Sequence, residues 1–334
     1  MIIYYKYPKT KKNFVGKIIL LTFVKNRKMT QNLGYCCISM GINEGVAKKD
    51  QITVNRGMVK KTFTDKGLSY VSELVQQNLT DCLRVLKYNF SKGIMVYRMS
   101  SDMFPWMTHY KISDLPNHFK IKTQCKLIGQ FVMENNIRVG FHPGQFCVIA
   151  SENPDTVNMS ITELDRHAEI LDMMELPQTP FYGINIHLSN TKPTLEDAAA
   201  RFCTEFQRLS ESAKKRLTIE NDDKEAQYTV KHLYDLVHKN INIPIIPDSL
   251  HYQCHPGDMS WEETFKLAIS TWGDIKPLCH HSTSAKLYED EKETKRTHTE
   301  YLHERFENFD VPVDIELECK MKDLALLKYK KDYL

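Results

Sequence analysis

The sequence predicts an α/β protein whose fold is a single TIM-type (β/α)8 barrel. Eight short β-rich runs alternate with amphipathic helical stretches from about residue 33 to the C-terminus, the pattern of parallel strands joined by crossover helices. A chain of 334 residues with 42% apolar content has the material for one large core of this kind. Most of the β-rich runs also finish in a histidine or a carboxylate, and strand ends are where barrel enzymes place their chemistry.

In chain order, residues 1–28 read as an extension outside the barrel and expected to be disordered, and residues 29–334 as the barrel domain. The apolar run Ile18–Val24 is flanked by lysines but is too short to span a bilayer, and no small-residue cleavage site follows. Translation from Met29 would fit the same reading. The candidate strands are "LGYCCIS", "IMVYRMSS", "IRVGFHPG", "YGINIHLSN", "RLTIEND", "IPIIPDSLH", "KPLCHHSTS" and "VDIELECK". Between them lie "SELVQQNLTDCLRVLKYNF", "KTQCKLIGQFVMENN", "SITELDRHAEILDMME", "EDAAARFCTEFQRLSESAKK", "TVKHLYDLVHK" and "SWEETFKLAIS", each with apolar residues at i, i+3 and i+4. The charge run "EDEKETKRTHTE" reads as a solvated loop before the last strand.

A formal charge of +3 and a pI near 8.2 permit nucleic-acid binding without requiring it, so a basic surface would have to be local. Nine cysteines, odd in number and without a C-x-x-C pair, argue against a zinc ribbon or a disulfide framework and for an intracellular, reducing compartment. Cys36 and Cys37 read as small apolar barrel residues. The chain contains no P-loop, no nucleotide-binding G-x-G-x-x-G and no G-x-S-x-G, which counts against kinase, dehydrogenase and serine-hydrolase chemistry.

The rim carries the informative residues. His142 ends the third run, His187 the fourth and Glu220 the fifth; Asp248 with His251 ends the sixth, His280 the seventh and Glu318 the eighth. His109 follows the second run, and His298 lies in the loop before the eighth. One buried histidine is ordinary, but this many unpaired polar groups would cost a few kcal/mol each, a cost that a bound cation offsets. Imidazoles and carboxylates without thiolate suit Mn²⁺, Zn²⁺ or Mg²⁺. The number of ligands fits two or three ions with Glu220 bridging, and such sites activate water and stabilise the leaving oxygen in phosphodiester hydrolysis.

The segments "VYRMSSDMFPWMTH", "FHPGQF", "INIHLSN", "LTIENDD", "PDSLHY" and "IELECK", in this order from about Leu33 to Lys322, resemble the UV damage endonuclease family. That family is related to the endonuclease-four type of apurinic-site nuclease and shares its xylose-isomerase-like barrel. The resemblance implies a DNA repair enzyme that cuts the backbone immediately 5′ of UV photoproducts, leaving 3′-hydroxyl and 5′-phosphate ends, with up to three divalent metals, Mn²⁺ first among them. It implies a first metal at His142, His187 and Glu220. A second would share Glu220 and add Asp248, His280 and Glu318, and a third would use His251 and His298. His109 matches a family site histidine. The partner expected is double-stranded DNA carrying UV lesions, with the protein a monomer that does not enter a membrane.

Two departures from the family stand out. Relatives can carry, two residues before the strand-seven histidine, a lysine that helps hold metal once carboxylated; here Leu278 occupies that position and Lys276 lies nearby. Relatives often have tyrosine after the "HPGQ" glutamine; here it is Phe146, which with Gln145 is expected to fill the gap left by damaged bases. Tyr35 resembles a family residue that probes the duplex, or caps the barrel. Arg98 neutralises a phosphate or pairs internally, and Ser100 and Ser101 bind a phosphate oxygen or satisfy a strand end. Lys320 is a candidate contact to the scissile phosphate. Phe104 and Trp106 pack under the rim or line a lesion groove. Cleavage at abasic sites, sugar isomerase or epimerase chemistry, and DNA binding without catalysis are the competing readings.

Overall fold

The computed structural model describes residues 31–334, so the extension 1–28 and a start at Met29 lie outside the described residues. Eight strands form within the eight stretches marked by the sequence: β1 (Leu33–Cys36), β2 (Val96–Met99), β3 (Arg138–Phe141), β4 (Ile184–Ile186), β5 (Leu217–Glu220), β6 (Ile245–Ile246), β7 (Leu278–His281) and β8 (Asp314–Leu317). They run parallel in the order β6-β5-β4-β3-β2-β1-β8-β7. A parallel bridge between Asp248 and His280, with His280 N donating to Pro247 O at 3.1 Å, joins the two ends of the sheet and closes the ring.

The outer layer begins with α1 (Lys60–Ser91), α2 (His118–Glu134), α3 (Pro154–Met173), α4 (Leu195–Phe206) and α5 (Glu211–Arg216). Next comes α6 (Val230–Leu233), continued by a π turn (Tyr234–His238) and a last α turn (Lys239–Ile241). The short α7 (Ser249–Cys254), α8 (Trp261–Ile269), α9 (Ala285–Tyr288) and α10 (Lys322–Tyr333) complete it. Pattern and structure differ at several helices, the short α7 and α9 among those without a counterpart in the pattern. The first begins at Lys60, with Gly67 (φ 61°) interrupting its helical backbone, a conformation that glycine adopts without steric cost. The single helix expected over 196–215 is two, because Ser210 caps a new start by accepting from Ala213 N at 3.2 Å. The C-terminal helix was not signalled, since lysines interrupt its apolar spacing, yet it buries Ala325, Leu326 and Tyr329.

Strand alternation sorts the side chains into two layers. On β8, Ile315 and Leu317 join the core under the helices, while Asp314 and Glu316 turn into the barrel. The floor at the N-terminal ends is a buried ion group in which Asp314 lies 3.3 Å from Arg138 and 2.5 Å from Lys276. Arg138 also donates to Lys276 O at 2.8 Å and sits over the Phe181 and Trp272 rings. That group secures the floor and leaves the opposite mouth for the site. All nine cysteines are free, and among the described residues no helix is long and apolar enough to cross a membrane.

Candidate metal centre

The ends of β3, β4, β6 and β7 bring side chains to one point, the Glu220 carboxylate at the end of β5, which is buried at 1% exposure. His142 follows β3, and its Nδ1 donates to Pro143 O at 2.9 Å, turning Nε2 to within 3.4 Å of Glu220 Oε2. His187 follows β4 with Nε2 4.0 Å from Glu220 and Nδ1 3.2 Å from Asp222. Asp248 lies beyond β6 and caps α7, its Oδ1 accepting from His251 N at 2.7 Å. That turn carries His251 back to the centre, with Nδ1 2.9 Å from Asn221 O and 3.3 Å from Glu220 Oε1. From β7, His280 Nδ1 reaches 3.0 Å from Glu220 and 3.3 Å from Glu318. Asn185 on β4 donates to Glu220 Oε2 from below.

These groups form three overlapping sets whose ligand atoms lie within 4.8 Å of one another: His142, His187 and Glu220; Glu220, Asp248 and His251; Asp248, His280 and Glu318. Burial pushes the Glu220 carboxyl up, but the fields of His280 and His187 with hydrogen bonds from His142 and His251 outweigh it and hold the group well below the usual carboxylate range. Glu318 is likewise held down by Arg98 and His280 against its burial. His280 is drawn up to about 9, burial opposing and Glu220 prevailing. His142, where burial prevails, is lowered. Anionic carboxylates facing imidazoles are what a divalent cation requires. The fit is supported by Asp248 Oδ2 and His298 Nδ1, both buried without a hydrogen-bond partner.

Several expected residues fall elsewhere. His298 borders the cluster, Nε2 4.0 Å from Glu318 Oε2, but shares no set with His251. His109 is exposed on the loop after β2, edge-on to Trp106 and outside the three sets. Tyr35 is corrected: it is fully buried, its hydroxyl donating to Asn89 Oδ1 at 2.8 Å on α1, and it offers no surface to a duplex. Arg98 pairs internally with Glu316 and Glu318, the second of its two readings, and not as a free phosphate contact. Ser100 is buried and accepts from Asp102 N at 3.2 Å, so it satisfies a strand end; Ser101 opens the short turn that follows. Phe104 is buried and Trp106 stacks on Phe63, the packed form of that loop. Lys320, Gln145 and Phe146 are exposed, Phe146 at 83%. Glu316, Asp222 and Asn185 were missed, although Glu316 keeps the period-two spacing of Asp314 and Glu318 and could have been found by it.

A closed parallel barrel with seven histidine and carboxylate side chains gathered at its carboxyl mouth defines a class of protein whose rim groups could hold metal ions. Within that class, the chain belongs to the UV-endonuclease UvdE family, whose model matches residues 31–334. It is 31% identical over 303 residues to a UV DNA damage endonuclease of Clostridium perfringens, covering 89% of this chain and 69% of the relative. The crystal structure of SacUVDE matches with a TM-score of 0.77 at 28% identity, covering 90% of this chain and 97% of that one. Endonuclease IV from Thermus thermophilus, at 11% identity and a TM-score of 0.51 over 75% of this chain and 93% of its own, shares the fold.

Proposed function

We propose that this protein is a divalent-metal-dependent endonuclease that hydrolyses the DNA backbone immediately 5′ of UV photoproducts, cyclobutane dimers and 6-4 products alike, leaving 3′-hydroxyl and 5′-phosphate ends. The observation that carries the reading is the convergence of four imidazoles from separate elements on Glu220, each within 4.0 Å, at the barrel mouth. Two or three ions, Mn²⁺ before Zn²⁺ or Mg²⁺, would be held by His142, His187, Glu220, Asp248, His251, His280, His298 and Glu318. When bound, such ions supply an activated water and charge stabilisation at the leaving oxygen. The chain's own part is to hold these ligands and orient the phosphate. Leu278 cannot contribute a carboxylated side chain, so the ion-holding set is drawn from the rim residues.

Beside the cluster, the turn after His142 carries Gln145 and Phe146 outward. An exposed phenyl ring beside a phosphate-cleaving centre suits a wedge into a weakened base stack, the contact that distinguishes damaged from intact duplex. Lys320, exposed just past Glu318, is the candidate phosphate contact, and His109 a rim group that a bound strand would meet. The protein is read as a monomer acting on double-stranded DNA in the reducing interior of a cell. The test is incubation of UV-irradiated and untreated supercoiled plasmid with the protein and Mn²⁺, with and without chelator, alongside a duplex with one abasic site. Nicking of irradiated plasmid alone, abolished by chelator, is expected; no damage-dependent nicking with any divalent metal overturns the reading.

A further inference from the structure

Two of the four clustered imidazoles meet a partner at one nitrogen and face Glu220 with the other. His142 is held by Pro143 O and His187 by Asp222. His280 presents Nδ1 to Glu220 and Glu318 and turns Nε2 inward, toward the barrel axis. There it meets Glu316 Oε1 at 3.9 Å. Glu316 is paired with His280 in the β7–β8 register, and its side chain is 4% exposed. Both residues line an internal cavity of about 30 Å³, together with Arg98, Asn185, Thr218 and the apolar Leu278. Arg98 pairs with Glu316 and with Glu318, so a continuous chain runs from His280 through Glu316 and Arg98 to Glu318.

We propose that Glu316 is the positioning residue for His280. Its carboxylate accepts the Nε2–H of the ring and thereby leaves the Nδ1 lone pair for a cation, the arrangement by which carboxylates orient metal-binding histidines. The 3.9 Å separation exceeds hydrogen-bond range by roughly 1 Å, and the adjoining cavity gives the side chain room to close it. Arg98 makes the arrangement tolerable: its guanidinium pairs with both Glu316 and Glu318 and offsets the repulsion between the two buried carboxylates. Through the same guanidinium, Glu316 fixes the spacing of His280 and Glu318, two members of one ligand set.

The inference rests on the metal-centre reading but is tested apart from nicking. Mn²⁺ is titrated into the parent, Glu316→Gln and Glu316→Asp, with free Mn²⁺ followed by electron paramagnetic resonance. The expected result is that Glu316→Gln weakens one class of site roughly 10- to 100-fold and leaves the others, with Glu316→Asp in between. In the parent loaded with Zn²⁺, the His280 ring is expected to show a slowly exchanging Nε2–H resonance. That measurement decides the matter even where a variant fails to fold. Equal Mn²⁺ affinity at every site in Glu316→Gln, or a His280 ring protonated at Nδ1 in the loaded parent, overturns the proposal. A parent that binds no Mn²⁺ overturns the metal-centre reading beneath it, whereas binding without damage-dependent nicking leaves Glu316 in place and overturns the activity alone.

Discussion

At the scale of single residues, the centre depends on one carboxylate shared by histidines from four parts of the chain, so the conservative change at that point is the most informative. Glu220→Gln keeps the shape and removes the charge that lies 3.0 Å from His280 and 3.3 Å from His251. Nicking of irradiated plasmid should fall by at least about 1,000-fold, the scale of losing a charged group at a preorganised site, while gel-shift binding to damaged duplex persists. Near-normal turnover in this variant would remove Glu220 from the bridging position. Phe146, by contrast, is 83% exposed, so truncating it costs the fold little. Phe146→Ala should lower the preference for damaged over intact duplex by about 5- to 150-fold, corresponding to about 1–3 kcal/mol of stacking, and competition binding measures it. Tyr35 shows why residue type alone misleads at this scale. It ends a strand as the ligands do, yet alternation turns it and its neighbour Tyr97 toward the helices, their rings 5.3 Å apart, and turns Arg98 into the barrel.

At the scale of elements, the eight strands were legible because β-branched and apolar runs bounded by turn residues have few other uses. The candidate ligands were legible because a histidine or carboxylate at the end of so many apolar runs has no packing reason to be there. Asp222 and Asn185 were hidden for a different reason: each acts across a strand boundary on a neighbour's side chain, and sequence spacing does not encode that direction. The element most poorly signalled, α10, has a buried anchor. Asp323 in its first turn accepts from Ser39 Oγ at 3.0 Å, Met40 N at 2.6 Å and Gly41 N at 2.9 Å, tying the last helix to the loop after β1. A side chain at Gly41 would collide with Tyr88 Oη and Asp323 Oδ2, so the close approach depends on glycine there. Asp323→Ala strands two backbone N–H groups and a hydroxyl, and a loss of roughly 3 kcal/mol in urea denaturation is expected. A loss below about 1 kcal/mol would show that α10 is held by its apolar face alone.

At the scale of the whole molecule, two groups of buried titratable side chains couple stability to solution conditions. His167 on α3 is fully buried against Phe141, its Nδ1 donating to Glu163 O at 2.9 Å, and burial lowers its pKa to about 4. The unfolded chain takes up this proton near pH 6.5 and the folded one only near 4, so stability is present above 6.5 and is lost as pH falls through that window. The loss between pH 7 and pH 5 is about 2 kcal/mol, and it should be missing from the pH profile of His167→Leu measured by urea midpoint. The cluster at the mouth works in the opposite sense for metal. Four carboxylates, those of Glu220, Asp248, Glu316 and Glu318, crowd a space in which Arg98 is paired with two of them. A cation that binds the folded barrel and not the unfolded chain stabilises it by mass action, about 2.7 kcal/mol for each ion at 100 times its Kd. For a domain of this size that is a rise in Tm of roughly 4 °C per ion. Adding Mn²⁺ to chelator-treated protein should therefore raise Tm by at least that amount, and Glu220→Gln should remove most of the rise. Since Glu220 draws the His280 ring up to about 9, loading at pH 7 should also release protons into a weak buffer, and affinity should climb as pH approaches 9. A Tm that ignores Mn²⁺, with no proton release, would mean that the imidazoles and carboxylates at the mouth serve only one another.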